Sequence, residues 1–527
     1  MAYRSKLLPV LAALAALTAA PEPSRAETVL KVIPQIDLRI LDPIWTTAAI
    51  TLIHGYLVYD VLFAPGADLQ PKPQMVDKWS VSDDGLLYTF ALRPGMKWTD
   101  GSPVTAKDAV ASIRRWGART PDGQVLMART EGMEAKDELT FTLHLKQRHG
   151  QVLQSLGNPV LPCFIMREKE ALTDPFQQIQ ETVGSGPFIF LKEEFRPGSR
   201  VVYRKNPDYK PRGDAPDGLA GAKLAKVDRI EWSIIPDAAI AAAALGSGEV
   251  DAMERPGFDL LPVLRKNPDI RLQVIDKIGY QAMIRPNHLA PPFDKPAARK
   301  ALMAVIDQNE YLAAMIGDET HQRPCLSPFV CGTPSESKLG TEANAKADPA
   351  RAKTLLKEAG YNGEPVVIMD PTDQAEIHAM SLVTAERLRG VGVNVDLQAM
   401  DWSTLTARRP IKDPPAKDPR GWHMFHTTWP GQGMWNPITN SAAATPCDGK
   451  NWFGWACDEE LEKRRLAYLD AADDGARKAA IERLQERYYE VVPFIPVGQF
   501  TRPIAFRKNV SGWVDSPYIV FWNVEKK

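Results

Sequence analysis

The stretch DDGLLYTFALRPGMKWTDGSPVTAKDAV, residues 83–110, holds a strand, a chain of turns and the start of a helix in quick succession. In LLYTFALR (86–93) apolar residues alternate with others, the period of a half-buried strand. PGMKWTDGSP (94–103) is a run of turn formers. TAKDAVASIRRW (105–116) then predicts a helix with Thr105 as its N-cap. LTFTLHL (139–145) alternates like the first strand.

Further along the chain the same alternation of short strands and helices continues, with no repeat period. DPARAKTLLKEAGYNGEP (348–365) carries full helix punctuation: Asp348 to cap, Pro349 in the first turn, Leu355, Leu356 and Ala359 on one face, Gly360 to stop. VVIMD (366–370) reads as a buried strand, about 375–389 as a helix, and VNVDLQAM (393–400) as another strand. That order predicts a β-α-β unit with parallel pairing, hence an α/β fold. Two more helices are expected at 458–470 and 475–492, followed by a strand-rich tail after Pro493 and Pro496. The whole chain is 527 residues, too long for one hydrophobic core, so two or three domains are expected. A net charge of −1 and an apolar fraction of 44% speak against disordered and nucleic-acid-binding classes.

The first 26 residues read as a leader. Arg4 and Lys6 precede an apolar run from Leu7 to Ala20, and Ser24-Arg25-Ala26 is a small-x-small site, the pattern of a cleaved signal peptide. The apolar run is too short to span a bilayer. No cysteine lies near the cleavage site to carry a lipid, so an unanchored protein in the periplasm of a Gram-negative cell is expected. Export permits disulfides. Of five cysteines, Cys325 with Cys331 and Cys447 with Cys457 form close pairs and are expected to be bridged, while Cys163, in LPCFIM, is expected to be buried and free. None of these spacings is a zinc site.

Taken together, several motifs resemble one family: the extracellular solute-binding proteins of the peptide, oligopeptide and nickel group (family 5, cluster C of the periplasmic binding proteins), which serve ABC importers. The resemblance is carried by LDPIWTTAAITLIHGYLVYDVLF (41–63), by 71–116 including the opening stretch, by VGSGPF (183–188) and RKNPDYK (204–210), by PNHLAPPFDKPAARKALMAVID (286–307), and by the Asp348 helix. It implies a bilobed fold with the ligand enclosed between hinged lobes. Lobe I would hold 27–280 and 495–527, with a family-specific subdomain near 66–183; lobe II would hold 281–494. The chain would cross between lobes near Tyr280–Asn287 and Pro493–Gln499. A membrane permease pair driven by ATPases is the implied partner, with a small solute as ligand, no catalysis, no cofactor and a monomeric state.

The residues agree with a non-enzyme. There is no Gly-x-Ser-x-Gly and no His-Glu-x-x-His, and SESK (335–338) reads as a solvated loop. HMFH (423–426) raises a metal reading, but His423 and His426 on one strand face opposite ways. One is expected in the core and one, His426, toward the cleft, where some nickel carriers of this group use a single histidine. The implied ligand walls are Trp45, Thr46 and Thr47 from lobe I, and Trp429, Gly431, Met434 and Trp435 from lobe II, with Tyr280 and Trp402 as further candidates; Trp79 and Trp98 are expected in the subdomain core. Peptide-binding relatives carry aromatic-x-Gly-Asp where this chain has Trp429-Pro430-Gly431-Gln432, and their aspartate pairs with the peptide's α-ammonium. Gln432 has no charge, so another acid would have to replace it for a peptide amine to bind well; Asp401 reads instead as a helix N-cap. Arg285, in MIRPN, would hold a carboxylate if it faced the cleft. Gln432 and Arg285 together raise a neutral or acidic solute as the alternative to a peptide.

Overall fold

A computed structural model describes Met1 and residues 27–449, 451–471 and 473–527; the expected leader otherwise lies outside the described residues. The opening stretch folds as its pattern dictates. Leu87–Leu92 and Thr140–Leu145 pair antiparallel at the centre of a four-stranded sheet, with Val76–Val81 and Thr130–Ala135 at its edges. Tyr88, Phe90 and Leu92 point inward. The helix Ala106–Arg119 starts at Thr105, whose backbone N (2.7 Å) and Oγ1 (3.0 Å) both donate to Asp108 Oδ2, leaving the first turn capped. Trp98 is buried in this core as expected, but Trp79 is 41% exposed because it lies on an edge strand.

Two larger sheets organise the rest. One has seven strands in the order Phe188–Phe190, Arg200–Lys205, Arg229–Ser233, Val29–Ile33, Ala252–Met253, Pro503–Arg507, Ile270–Val274. The other has six, in the order Gln322–Arg323, Ile495–Phe500, Tyr280–Pro286, Met424–Pro430, Val366–Pro371, Val395–Met400. The expected β-α-β unit is present: Val366 and Val395 open a parallel register, joined by the helix Ala375–Gly390. The helix before it is capped by Asp348, whose Oδ1 accepts from Arg351 N at 2.9 Å.

The segments expected to cross between lobes are both strands of the six-stranded sheet, where Tyr280–Pro286 pairs antiparallel with Ile495–Phe500. The connecting segments 275–279 and 501–502 lie just outside these strands. Gly279 takes φ 75° there, and a Cβ would collide with the Phe500 carbonyl. Only glycine lets the backbone approach Phe500 this closely.

Both disulfides form as expected, and Cys163 is buried and free. Their loops are short, with separations of 6 and 10 residues. Replacing Cys447 and Cys457 together by serine should cost about 2–3 kcal/mol through freedom returned to the unfolded chain. Urea unfolding of the double variant would measure this. Among the described residues no helix is long and apolar enough to cross a membrane.

Candidate functional site

Trp429-Pro430-Gly431-Gln432-Gly433-Met434-Trp435 begins at the end of the strand Met424–Pro430 and turns through a short 3₁₀ segment, Gly431–Gly433. The turn is seated on the segment 275–279. Gly431 N donates to the Gly279 carbonyl at 2.6 Å, and a Cβ on Gly431 would stand 2.5 Å from the Ile278 side chain. On its other side the turn meets the loop 157–163 of the seven-stranded half, since a Cβ on Gly433 would lie 3.0 Å from Val160. The two glycines thus make room for protein on either side, so the turn is held between the two halves of the molecule.

Beneath the turn lies Asp276, 3% exposed. Its Oδ1 accepts from Gly279 N (3.0 Å) and Ile278 N (3.2 Å), while Oδ2 has no hydrogen-bond partner. Burial pushes its pKa up to about 7, against the two backbone donors and the adjacent Gln432 amide, which favour the ionised form. Gln432 is 5% exposed and its Oε1 also lacks a partner. Sequence reading missed Asp276: VIDKIG reads locally as an ordinary Asx turn, and only the turn arriving more than 150 positions later buries it.

The aromatic candidates separate. Trp429 is half-buried and bridges the hydrophobic cores of both halves, its ring 5.2 Å from Trp452. Trp435 is half-buried with its indole N–H unpartnered. Met434 is fully buried in a hydrophobic cluster with Tyr488 and Phe494. Tyr280 stacks on Phe500 at 5.6 Å, and Arg255 Nη2 donates to its hydroxyl at 3.2 Å. Trp402 opens the helix Trp402–Arg408 and packs on the hydrophobic cluster around Ile368 and Met424, with Arg409 5.6 Å over its ring. Asp401 caps that helix, as expected, through Thr404 N at 2.9 Å. Trp45, Thr46 and Thr47 line a cavity of about 50 Å³ with Arg119, Leu161 and Pro162, room for a few waters at most. Arg119 covers the Trp45 ring at 5.0 Å. The loop 160–162 therefore touches the Gly433 turn at one end and the Trp45 cavity at the other.

Two expectations are corrected. Arg285 is fully buried and spends four of its five N–H groups on backbone carbonyls: Nε on Phe453 (2.6 Å), Nη1 on Ala442 (2.8 Å) and Pro493 (2.9 Å), Nη2 on Trp452 (3.2 Å). Its guanidinium holds the second half together rather than facing a ligand. His426 is fully buried too, with Nδ1 3.2 Å from Ser381 Oγ and Nε2 2.7 Å from Thr384 Oγ1, and burial lowers its pKa to about 3. His423 has its Nδ1 on Val367 N (2.9 Å) and its Nε2 on the Pro291 carbonyl (2.9 Å). Both histidines are core residues, and among the described residues no cluster of three or more His, Cys, Asp or Glu could hold a metal.

Comparison with known proteins matches residues 70–451 to the family model of bacterial extracellular solute-binding proteins, family 5. A probable peptide ABC transporter periplasmic-binding protein, y4tO, of Sinorhizobium fredii (strain NBRC 101917 / NGR234) is 38% identical over 93% of this chain and 92% of its own. The glutathione-binding protein GsiB of Pectobacterium atrosepticum is 25% identical over 91% of this chain and 90% of its own. Among solved structures, AgaA of A.tumefacien R10 with agropinic acid superposes with a TM-score of 0.80 at 20% identity, covering 95% of this chain and 99% of that one. DppA of Helicobacter pylori with the peptide STSA superposes with a TM-score of 0.78 at 20% identity, covering 95% and 98%. At such identity these two speak to the bilobed fold alone.

Proposed function

This chain belongs to family 5 of the bacterial extracellular solute-binding proteins, and from that premise we propose that it captures a peptide between its two lobes in the periplasm. It is the substrate-binding component of an ABC importer, a transport protein and not an enzyme. The observation that carries the peptide reading is the likeness to the probable peptide-binding relative at 38% identity over 93% of the chain. The lobes are 27–274 with 503–527, and 280–500, hinged at 275–279 and 501–502. The leader 1–26 directs export and is removed. Closure brings the Gly431–Trp435 turn of lobe II against the loop 157–163 of lobe I, so a ligand held there touches both lobes and favours the closed state. Trp429, Gln432 and Trp435 form the lobe II wall; Trp45, Thr46 and Thr47 form the lobe I wall.

Mass spectrometry of small molecules released from the protein purified from periplasm tests this. Short peptides, recovered uncleaved, are expected. A co-purifying solute that is not a peptide, with no thermal stabilisation by a pool of di- to tetrapeptides, would overturn the peptide reading.

A further inference from the structure

Two buried acceptor oxygens, Asp276 Oδ2 and Gln432 Oε1, sit on adjoining turns at the hinge, and neither has a hydrogen-bond partner among the described residues, the Gln432 amide lying beside the Asp276 carboxyl without closing a bond to Oδ2. Unpaired buried acceptors are costly, and one of these belongs to an ionisable carboxyl. A ligand group that meets both must bring several donors, and a positive charge if the carboxyl is ionised. A primary ammonium has three donors and one charge. A neutral hydroxyl offers one donor and no charge, and an anion is repelled.

Resting on the peptide reading above, we infer that Asp276, with the carbonyl oxygen of Gln432, anchors the primary ammonium group of the ligand. The carboxylate therefore stands on the hinge turn, not on the lobe II turn, where the sequence has Gln432. The placement links binding to closure, because Asp276 belongs to the crossing segment and Gln432 to the lobe that folds down on it. The charged and titratable groups around the carboxyl are Asp515, itself paired with Lys277, and Tyr518; Arg255, Glu254 and Tyr280 surround Tyr518 in turn. With burial raising the Asp276 pKa to about 7, part of the ligand-free protein carries the proton on this carboxyl at neutral pH. An ammonium binds the ionised form, so that proton leaves to solvent as the ion pair forms.

The test uses ligand-stripped full-length protein and two peptide pools, di- to tetrapeptides with free N-termini and the same peptides N-acetylated, each made in lysine-free and lysine-containing versions. Titration calorimetry in two buffers of different ionisation enthalpy reads affinity and proton release together. The free lysine-free pool should bind with proton release at pH 7, and its acetylated counterpart at least about 100-fold more weakly. Binding by the acetylated pool only when it contains lysine would assign the site to a side-chain ammonium, which the inference also covers. Asp276→Asn should lose binding by a similar factor, and Asp276→Asn/Gln432→Asp, with the carboxylate moved to the facing turn, should recover part of it. Equal binding of free and acetylated lysine-free pools would overturn the ammonium anchor while leaving peptide capture intact; so would wild-type affinity in Asp276→Asn. If no pool binds, the peptide reading falls, and the anchor with it. Should the Asn variant fail to fold, the pools and the proton count on the unmodified protein still decide.

Discussion

Replacing Arg285 by methionine is expected to destabilise the protein by about 3–5 kcal/mol, because several buried carbonyls would be left unsatisfied at about 1–3 kcal/mol each. The carbonyls of Ala442, Trp452, Phe453 and Pro493 would all lose a donor, and a thioether cannot replace it. The guanidinium also lies 4.9 Å over the Trp452 ring. Lysine should do little better, since one ammonium cannot reach four carbonyls that a planar fork spans. The loss should be local as well as global: hydrogen exchange should quicken around 441–456, the segment clipped by the Cys447–Cys457 disulfide. Urea unfolding followed by exchange would measure both. If the unfolding midpoint stayed put while binding of acidic solutes fell, Arg285 would be a ligand contact after all.

That arginine also marks where sequence reading reached its limit. Caps, turns and the β-α-β unit were legible because they rest on neighbours in the chain: Thr105 with Asp108, Asp348 with Arg351, Gly360 after its helix. The short loops between paired cysteines were legible for the same reason. The direction of side chains on the central strands was not. Tyr280–Pro286, Val366–Pro371 and Ile495–Phe500 are buried at every position, so period-2 alternation carries no mark of which face meets a cleft. The sequence leaves open whether Arg285 faces the cleft and places His426 there by family pattern, whereas both face packed protein. The pairing of Tyr280–Pro286 with Ile495–Phe500 was not legible for a related reason, since it joins segments some 200 positions apart. Gln432 stands out in the sequence as an uncharged residue between tryptophans, but its neighbour Asp276 becomes visible only in three dimensions.

Asp276 should also leave a signature on stability without any ligand. Its folded pKa, about 7, lies above the roughly 3.9 of an unfolded aspartate. Between those values the folded state binds more protons than the unfolded one, so stability falls as pH rises. The contribution is fully present below about pH 4 and is lost as pH rises through about 7. At ~1.4 kcal/mol per pK unit the full swing is on the order of 2–4 kcal/mol. Asparagine cannot ionise, so the Asp276→Asn variant should match the wild type in stability near pH 4 and exceed it at pH 8. The quantity to measure is the difference in unfolding free energy between the two proteins across this range, both stripped of ligand, because it cancels every other titrating group. A flat difference would mean that the carboxyl titrates normally and is not buried as the hinge requires. A difference that grows with pH, in a variant that no longer holds an amine, would show the protein keeping a costly buried charge at its hinge for the ligand it must close upon.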